Sequence, residues 1–488
     1  MIKDRVNNYN TTNTDGTIML QSFVHNNVYN ENSDLVKKLA FYRLAYKFYD
    51  NEHWAKNNEK LLSFNYIRAI INKVNEFTIG RNGFEVNIEN IYGDAVEEEV
   101  EKAMEANVNF IWNAHNKRKI LGEILQMGGV TGDCYVLVYL DVKNYRPGIK
   151  ILDSRYTVPI FSPGSQTEVI GYRFVEILKN HSKKYVQKVT EYTDEKTITY
   201  FVEKVGSSDR FELEEAENLF SINPVVHIEN MVNSFGYGGN SDAIDILKLN
   251  KIYNEAAEDV RTVIDYYGTP VTVITGAVVS DLKRGVGEVW SGLPQGSTVA
   301  NLNLDADLNS NFRYLETIRQ AIHDLTGVPQ EVLSKVQHIS NTSSAALKML
   351  YHSLVMAADR KITTYSEGIA EINKRINIYS VVFVTTNPMA KKFYGTLAAA
   401  GKVSNVADYR TVPVFEYGFP NDRMVQLQEI TLELNGKIGS RREAMEKLGK
   451  KNIPKILAEI DEDVEFMKNA QPEMGVQQPQ IGVAQETL

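Results

Sequence analysis

The sequence predicts an α+β fold that combines one long helix with a body of antiparallel strands. Three observations predict it. Apolar residues recur at helical spacing through Leu347, Leu350, Leu354, Ala358, Ile362, Tyr365, Ile369, Ile372 and Ile376, a stripe on a helix roughly 50 Å long at ~1.5 Å per residue. From about residue 130 to 230 the pattern changes to short alternating runs divided by Gly, Pro and Ser turns, which favours a meander over strand–helix–strand units. Further segments with helical period flank both regions.

Taken in order, residues 1–30 are rich in Asn and Thr and are expected to form a flexible arm. The run LVKKLAFYRLAYKFYDNEHW reads as a helix carrying aromatic residues, and residues 61–79 as a second, with Ile67, Ile70, Val74 and Phe77 on one side. Gly80-Arg81-Asn82-Gly83 is turn chemistry before an alternating strand at 84–88. Helices at 95–114 and 118–127 precede a glycine-punctuated turn and a strand at 135–140. Strands follow near 151–153, 158–160, 169–174, 185–192, 197–203 and 225–228.

Ser241-Asp242 is placed to cap a helix that uses Leu249, Ile252, Ala256, Val260 and Val263 and stops at Gly268. Residues 269–310 read as a compact insert, with strands at 271–274 and 299–304 and a short helix at 278–283. Phe312, Leu315, Ile318, Ile322 and Leu325 then share one helical face, closed by Gly327 and Pro329. Ser343 or Ser344 caps the long helix, and 381–385 and 411–415 read as returning strands. Pro420 opens a C-terminal helical section, where Ser440 caps a short helix and Pro454 fits the first turn of the last one. The tail QPEMGVQQPQIGVAQETL has the composition of disorder.

The 488 residues suggest two to four domains, and 43% hydrophobic with 24% charged residues is a globular balance. A single cysteine, Cys134, leaves no intramolecular disulfide and suits a reducing cytoplasm. The N-terminal residues lack the apolar centre of a signal peptide. Lys348, Asp359, Arg360, Lys361 and Glu367 interrupt the long stripe, so it is not expected to cross a membrane. A net charge of −9 argues against general nucleic-acid binding.

Chemistry-bearing patterns are sparse. There is no phosphate-cradling G-x-x-x-x-G-K-[ST] loop. Gly285-Val286-Gly287-Glu288 reads as a turn, and Gly239-Asn240-Ser241-Asp242 as a helix cap rather than a nucleophile elbow. Cys134 opens an apolar strand, where a small buried residue is the default reading over a nucleophile. His323, His338 and His352 lack metal-ligand spacing, and the Glu97–Glu99 and Glu212–Glu217 runs read as solvated faces. No catalytic residue, cofactor or metal is assigned.

The order of these segments resembles the portal proteins of tailed bacteriophages, the head-to-tail connectors of the capsid. FNYIRAIINKVNEFTIGRNGFEV, GDCYVLVYLD with ILDSRYTVPIF, NSDAIDILKLNKIYNEAAEDVRTVIDYYGTPVTVITG, NFRYLETIRQAIHDLTGVP and VFEYGFPNDRMVQLQEITLELNGKIGSRREAMEKLG carry the resemblance, from about Leu39 to Phe466. The stretch 381–413, with NPMAKKFYGTLAAAGKVSNVADYR, holds extra residues relative to that pattern.

The resemblance implies a portal fold: a flexible arm (1–30), a wing (31–240), a first stem helix (241–265) and a clip (266–310). A second stem helix (311–327), a tunnel loop (328–342), the long helix with returning wing strands (343–424), a crown (425–468) and a disordered tail (469–488) complete it. It implies a non-enzymatic ring, a dodecamer with head-to-tail contacts, at one vertex of the virion capsid and assembled in the host cytoplasm. Its implied partners are the large terminase subunit, a neck adaptor for head completion, and the major capsid and scaffold proteins. Double-stranded DNA would pass through during packaging and ejection without sequence specificity, and no membrane is involved. Twelve copies at −9 carry about −108 charges, a wall that suits sliding DNA. Lys335, Gln337, His338 and Asn341 are the implied channel residues, and Arg284 and Trp290 the implied clip contacts to terminase. The rival reading is another capsid or scaffold protein that assembles through the long helix as a coiled coil.

Overall fold

In a computed structural model, the described residues are 33–54, 63–80, 83–90, 98–165, 167–179, 185–202, 211–218, 220–233, 236–268, 272–276, 294–301, 308–333, 349–386, 409–415, 417–418, 423–448 and 453–470. The chain divides into two compact units, Met1–Gly418 and Phe419–Leu488. The expected arm at 1–30, the short helix at 278–283 and the Ser343/Ser344 cap lie outside the described residues, as does nearly all of the expected tail.

The first unit begins with α1 (Ser33–Tyr49) and α2 (Tyr66–Ile79). Asn65 caps α2 by accepting from Arg68 N–H, so this helix starts five residues later than the 61–79 apolar run suggests. Strand β1 (Phe84–Asn90) follows, then α3 (Glu98–Ala114) and α4 (Lys117–Thr131). Three antiparallel strands, β2 (Asp133–Asp141), β3 (Arg146–Leu152) and β9 (Val225–Glu229), form a sheet ordered β3-β2-β9. A second sheet runs β4-β5-β6-β7-β8 through Thr157–Phe161, Val169–Lys179, Tyr185–Thr193, Lys196–Val202 and Phe211–Glu217. Every pair in it is antiparallel, as the alternation predicts. The acidic run at Glu212–Glu217 is its edge strand: residues 213–217 are exposed, and charge there discourages pairing with another chain.

Helix α5 (Leu247–Gly268) leads to the hairpin β10 (Thr272–Thr275) and β11 (Thr298–Asn301), and α6 (Leu308–Thr326) returns from it. A single turn, α7 (Gln330–Leu333), follows Gly327, whose φ of +67° ends α6. Then comes α8 (His352–Thr386), 35 residues long, and β12 (Tyr409–Phe415), which pairs antiparallel with β1.

Helix α8 is the centre of the main core. Leu354, Ala358, Tyr365, Ile369, Ile372 and Ile376 are fully buried, and α8 packs on β12, β9, α2, β2 and α3. Burying each Leu or Ile of this stripe is worth about 1.5–3 kcal/mol. Trp112 Nε1 donates to Asn373 Oδ1 at 2.7 Å, and Asn107 Nδ2 donates to Asn377 Oδ1 at 2.8 Å, so two side-chain oxygens on this face are satisfied from α3.

Four expectations fail here. Residues 381–385 are not a strand: they are the last turns of α8, because Ile376 and Tyr379 continue the buried stripe and packing overrides the β-branched composition. Gly128 and Gly129 are not a turn but the end of α4, which Gly132 closes. A Cβ at Gly128 would lie 2.0 Å from the Tyr365 hydroxyl, so α4 and α8 meet at a distance only glycine permits. Helix α5 begins at Leu247 and buries Leu247, Asn250, Asn254 and Ala257, leaving Ile252 exposed. Phe312 and Leu325 of α6 are likewise exposed, since only Ile318 and Ile322 of that face reach the core.

The second unit contains α9 (Arg423–Asn435), α10 (Arg441–Lys447) and α11 (Ile453–Ala470). Ser440 Oγ accepts from Glu443 N–H at 3.1 Å and so caps α10. Pro454 sits in the first turn of α11.

Candidate functional site: a buried polar joint and an open helical groove

Lys335, Gln337, His338, Asn341, Arg284 and Trp290 all lie outside the described residues, so none of them is placed. What is placed is their frame. The first four fall between α7 and α8; the other two fall between β10 and β11. On the near side of the former gap, His323 Nδ1 and Val328 O are 2.8 Å apart, fastening the end of α6 to the chain beyond Gly327.

At the base of α5 two buried ionic clusters lie side by side. Asp133 is fully buried at the start of β2 and accepts from four donors: Tyr42 hydroxyl at 2.5 Å, His227 Nε2 at 2.7 Å, Gly239 N–H at 2.8 Å and Lys38 Nζ at 3.0 Å. A carboxylate has about four lone-pair positions, so its acceptor capacity is used in full. Lys38 Nζ also donates to Tyr237 O at 2.8 Å and Gly239 O at 3.0 Å. Burial alone would raise the Asp133 pKa. The His227 hydrogen bond and charge, with Lys38 and Tyr42, outweigh it and hold the carboxyl below its ordinary value. Burial, with Asp133 nearby, pushes the Tyr42 hydroxyl well up. The His227 ring stacks between Tyr135 and Tyr237 at 4.8 and 4.9 Å. Gly238, at φ +80°, lets the loop close over this cluster; a Cβ there would sit 2.2 Å from Lys38 Nζ.

The second cluster joins α8 to the chain just before α5. Lys361 Nζ donates to Asp242 Oδ2 and, at 3.0 Å, to Asn75 Oδ1 of α2. Asn230 Nδ2 donates to Asp242 Oδ1 at 2.7 Å, and Tyr365 hydroxyl donates to Asn230 Oδ1 at 2.9 Å. Four segments therefore meet at one ion pair. Ser241 Oγ accepts from Ala243 N–H at 3.0 Å, capping a turn, and also donates to carbonyls of α4. The Cys134 thiol lies beside this joint inside β2, where burial pushes its pKa up. Among the described residues no three His, Cys, Asp or Glu side chains are grouped to hold a metal ion.

These clusters were not singled out from sequence. One signal was available: Lys361 stands on the apolar stripe between Ala358 and Tyr365, and a cation on a buried face requires an anion.

Above the joint, α5 and α6 leave an apolar groove of about 480 Å³ between them. Phe64, Tyr253, Val260, Ile264, Phe312 and Leu315 line it, with Arg261, Glu316 and Arg319 along its sides. Ile264 is 48% exposed and Phe312 51%. Large side chains so exposed along a groove mark a contact surface. Among the described residues no helix is long and apolar enough to cross a membrane.

No curated protein matches the chain. Among solved structures, a chain from the "Neck of empty GTA particle computed with C6 symmetry" is similar with a TM-score of 0.42 and 11% identity, over 79% of this chain and 90% of that one. A family model described as "Phage portal protein, SPP1 Gp6-like" matches residues 21–466. That match takes in all of the first unit from residue 21 and most of the second, and the chain belongs to the SPP1 Gp6-like family of phage portal proteins.

Proposed function

We propose that this portal protein assembles into a closed dodecameric ring at one capsid vertex and conducts double-stranded DNA through its central channel during packaging and ejection. The observation that carries the reading is the family match over residues 21–466. The paired helices α5 and α6, which flank the β10–β11 hairpin, act as the stem, and the hairpin acts as the clip that docks the large terminase subunit and later a neck adaptor. Arg284 and Trp290 make clip contacts. The body around α8 is the wing, facing the major capsid and scaffold proteins, and the second unit is the crown. The docked motor supplies the energy for translocation, and no residue of this chain is assigned a catalytic role. The ring is a virion component assembled in the host cytoplasm.

The segment between α7 and α8 is the tunnel loop in this reading, with Lys335, Gln337, His338 and Asn341 facing DNA. On its near side His323 is fastened to Val328, and beyond it, inside α8, Lys361 pairs with Asp242. Deleting residues 336–342 is expected to leave ring assembly intact and to lower packaged DNA at least tenfold, measured by nuclease protection. Loss of rings would move the loop elsewhere.

The reading as a coiled-coil scaffold protein lacks a free seam, because the α8 stripe is buried within its own chain. Negative-stain electron microscopy with light scattering tests the ring directly. Twelve copies of the 55.2 kDa chain give particles near 660 kDa with a central hole. An elongated dimer or trimer from cells that also make the capsid proteins would overturn the proposal.

A further inference from the structure

Helix α6 carries two apolar surfaces on opposite sides. Phe312, Leu315 and Arg319 face the groove shared with α5. Tyr314 and Leu325 lie on the other side: at about 100° per residue they are roughly 200° and 220° around the helix from Phe312, so the run from Phe312 to Leu325 winds across the helix instead of holding one face. Tyr314 is 53% exposed and Leu325 59%, and Ala321 stands between them on the same stripe. Neither surface is covered by the described part of the chain. A closed ring of identical subunits with heterologous contacts needs two different, mutually complementary surfaces on each copy. An aromatic side chain set on a small-residue stripe, opposite an apolar groove with a charged rim, has the form of such a pair.

We propose that the groove between α5 and α6 is filled by the far side of α6 from the next copy of this chain, with Tyr314 as the anchor and Leu325 as the second contact. The inference rests on the ring reading above and adds which surfaces meet. Tyr314 of one copy enters between Ile264 and Phe312 of its neighbour, and burial of these apolar surfaces drives the contact. Arg261 and Arg319 flank the groove and are already engaged, with Glu258 at 2.9 Å and with Glu316 at 2.5 Å. The rim is thus locally neutral, which suits an apolar stripe rather than a charged one.

The test uses two variants of the full chain. One carries Tyr314→Asp with Leu325→Asp and spoils the far side; the other carries Ile264→Asp with Phe312→Asp and spoils the groove. All four positions are exposed in the single chain, so folding is expected to survive, which circular dichroism checks. Under conditions where the wild type forms rings, each variant alone is expected to lose rings at least tenfold. Mixed in equal amounts, they are expected to give a two-copy species near twice 55.2 kDa by light scattering. The groove variant still offers a sound far side, the far-side variant still offers a sound groove, and the contact stops at one pair. The variant Tyr314→Phe, which keeps the buried ring, retains assembly. Rings formed by either double variant, or a mixture that stays monomeric, would overturn the inference while leaving the ring reading standing. A wild type that forms no ring, with or without its capsid proteins, overturns both.

Discussion

Replacing Asp133 by alanine is expected to destabilise the first unit by about 3–5 kcal/mol, the loss typical when one member of a buried ion cluster is removed. Four donors converge on that carboxylate, and Tyr42, His227 and Lys38 would be left buried around an empty position. Against a total stability of about 5–15 kcal/mol, that removes between about a fifth and all of the margin. Asp133→Asn keeps an acceptor and the volume but removes the charge, and is expected to cost less than alanine. Thermal unfolding of wild type and both variants, followed by circular dichroism, gives the order.

The same group fixes a pH dependence. Its native pKa is depressed, so the unfolded state takes up the proton first as pH falls. The stability that Asp133 supplies is complete above the ordinary aspartate pKa of about 3.9 and is lost as pH drops through the lower native value. The wild type should therefore lose stability below about pH 4 more steeply than Asp133→Asn, and the two curves should converge in acid. Parallel curves would mean that the native carboxyl is not held ionised.

The second large effect is expected at Lys361. Lys361→Met keeps most of the side-chain length but leaves Asp242, whose side chain is only 10% exposed and still accepts from Asn230, without its cation. The expected cost is again about 3–5 kcal/mol. Adding Asp242→Asn removes the stranded charge while keeping an acceptor for Asn230 Nδ2, and is expected to recover at least half of the loss. Urea unfolding of the two single variants and the double variant measures the coupling. If the double variant is no more stable than Lys361→Met, the pair is not what holds α8 to the base of α5.

Much of the architecture follows from local pattern. The α8 stripe, the antiparallel meander, the Ser440 helix start and the strand run at 411–415 all carry signals within a few residues of one another. The two polar clusters do not. Lys38, Asp133 and His227 are far apart in the chain, as are Asn75, Asp242 and Lys361, and no period connects them. The run at 381–385 misleads because its β-branched composition favours a strand, while the chain there continues the helix whose stripe is buried as far as Tyr379. Helix α6 misleads differently. Its period reports correctly that an apolar face exists, but periodicity says nothing about whether the same chain or another one covers it. The six implied channel and clip residues rest on family resemblance, with no local physical signal of their own.

The pairing of β1 with β12 bears on how the molecule is made. Phe84 lies opposite Phe415, and the register continues to Asn90 opposite Tyr409. These partners are separated by most of the first unit, so their contact closes a loop of more than 300 residues, a slow and entropically costly step in folding. During synthesis β1 leaves the ribosome long before its partner exists. Until residue 415 has emerged, the edge of β1 stays without its partner, and such edges aggregate. The body around α8 therefore folds as a nearly finished chain rather than piece by piece. Truncated products of interrupted translation would lack the closing strand, and with it a stable body to present to a neighbouring copy.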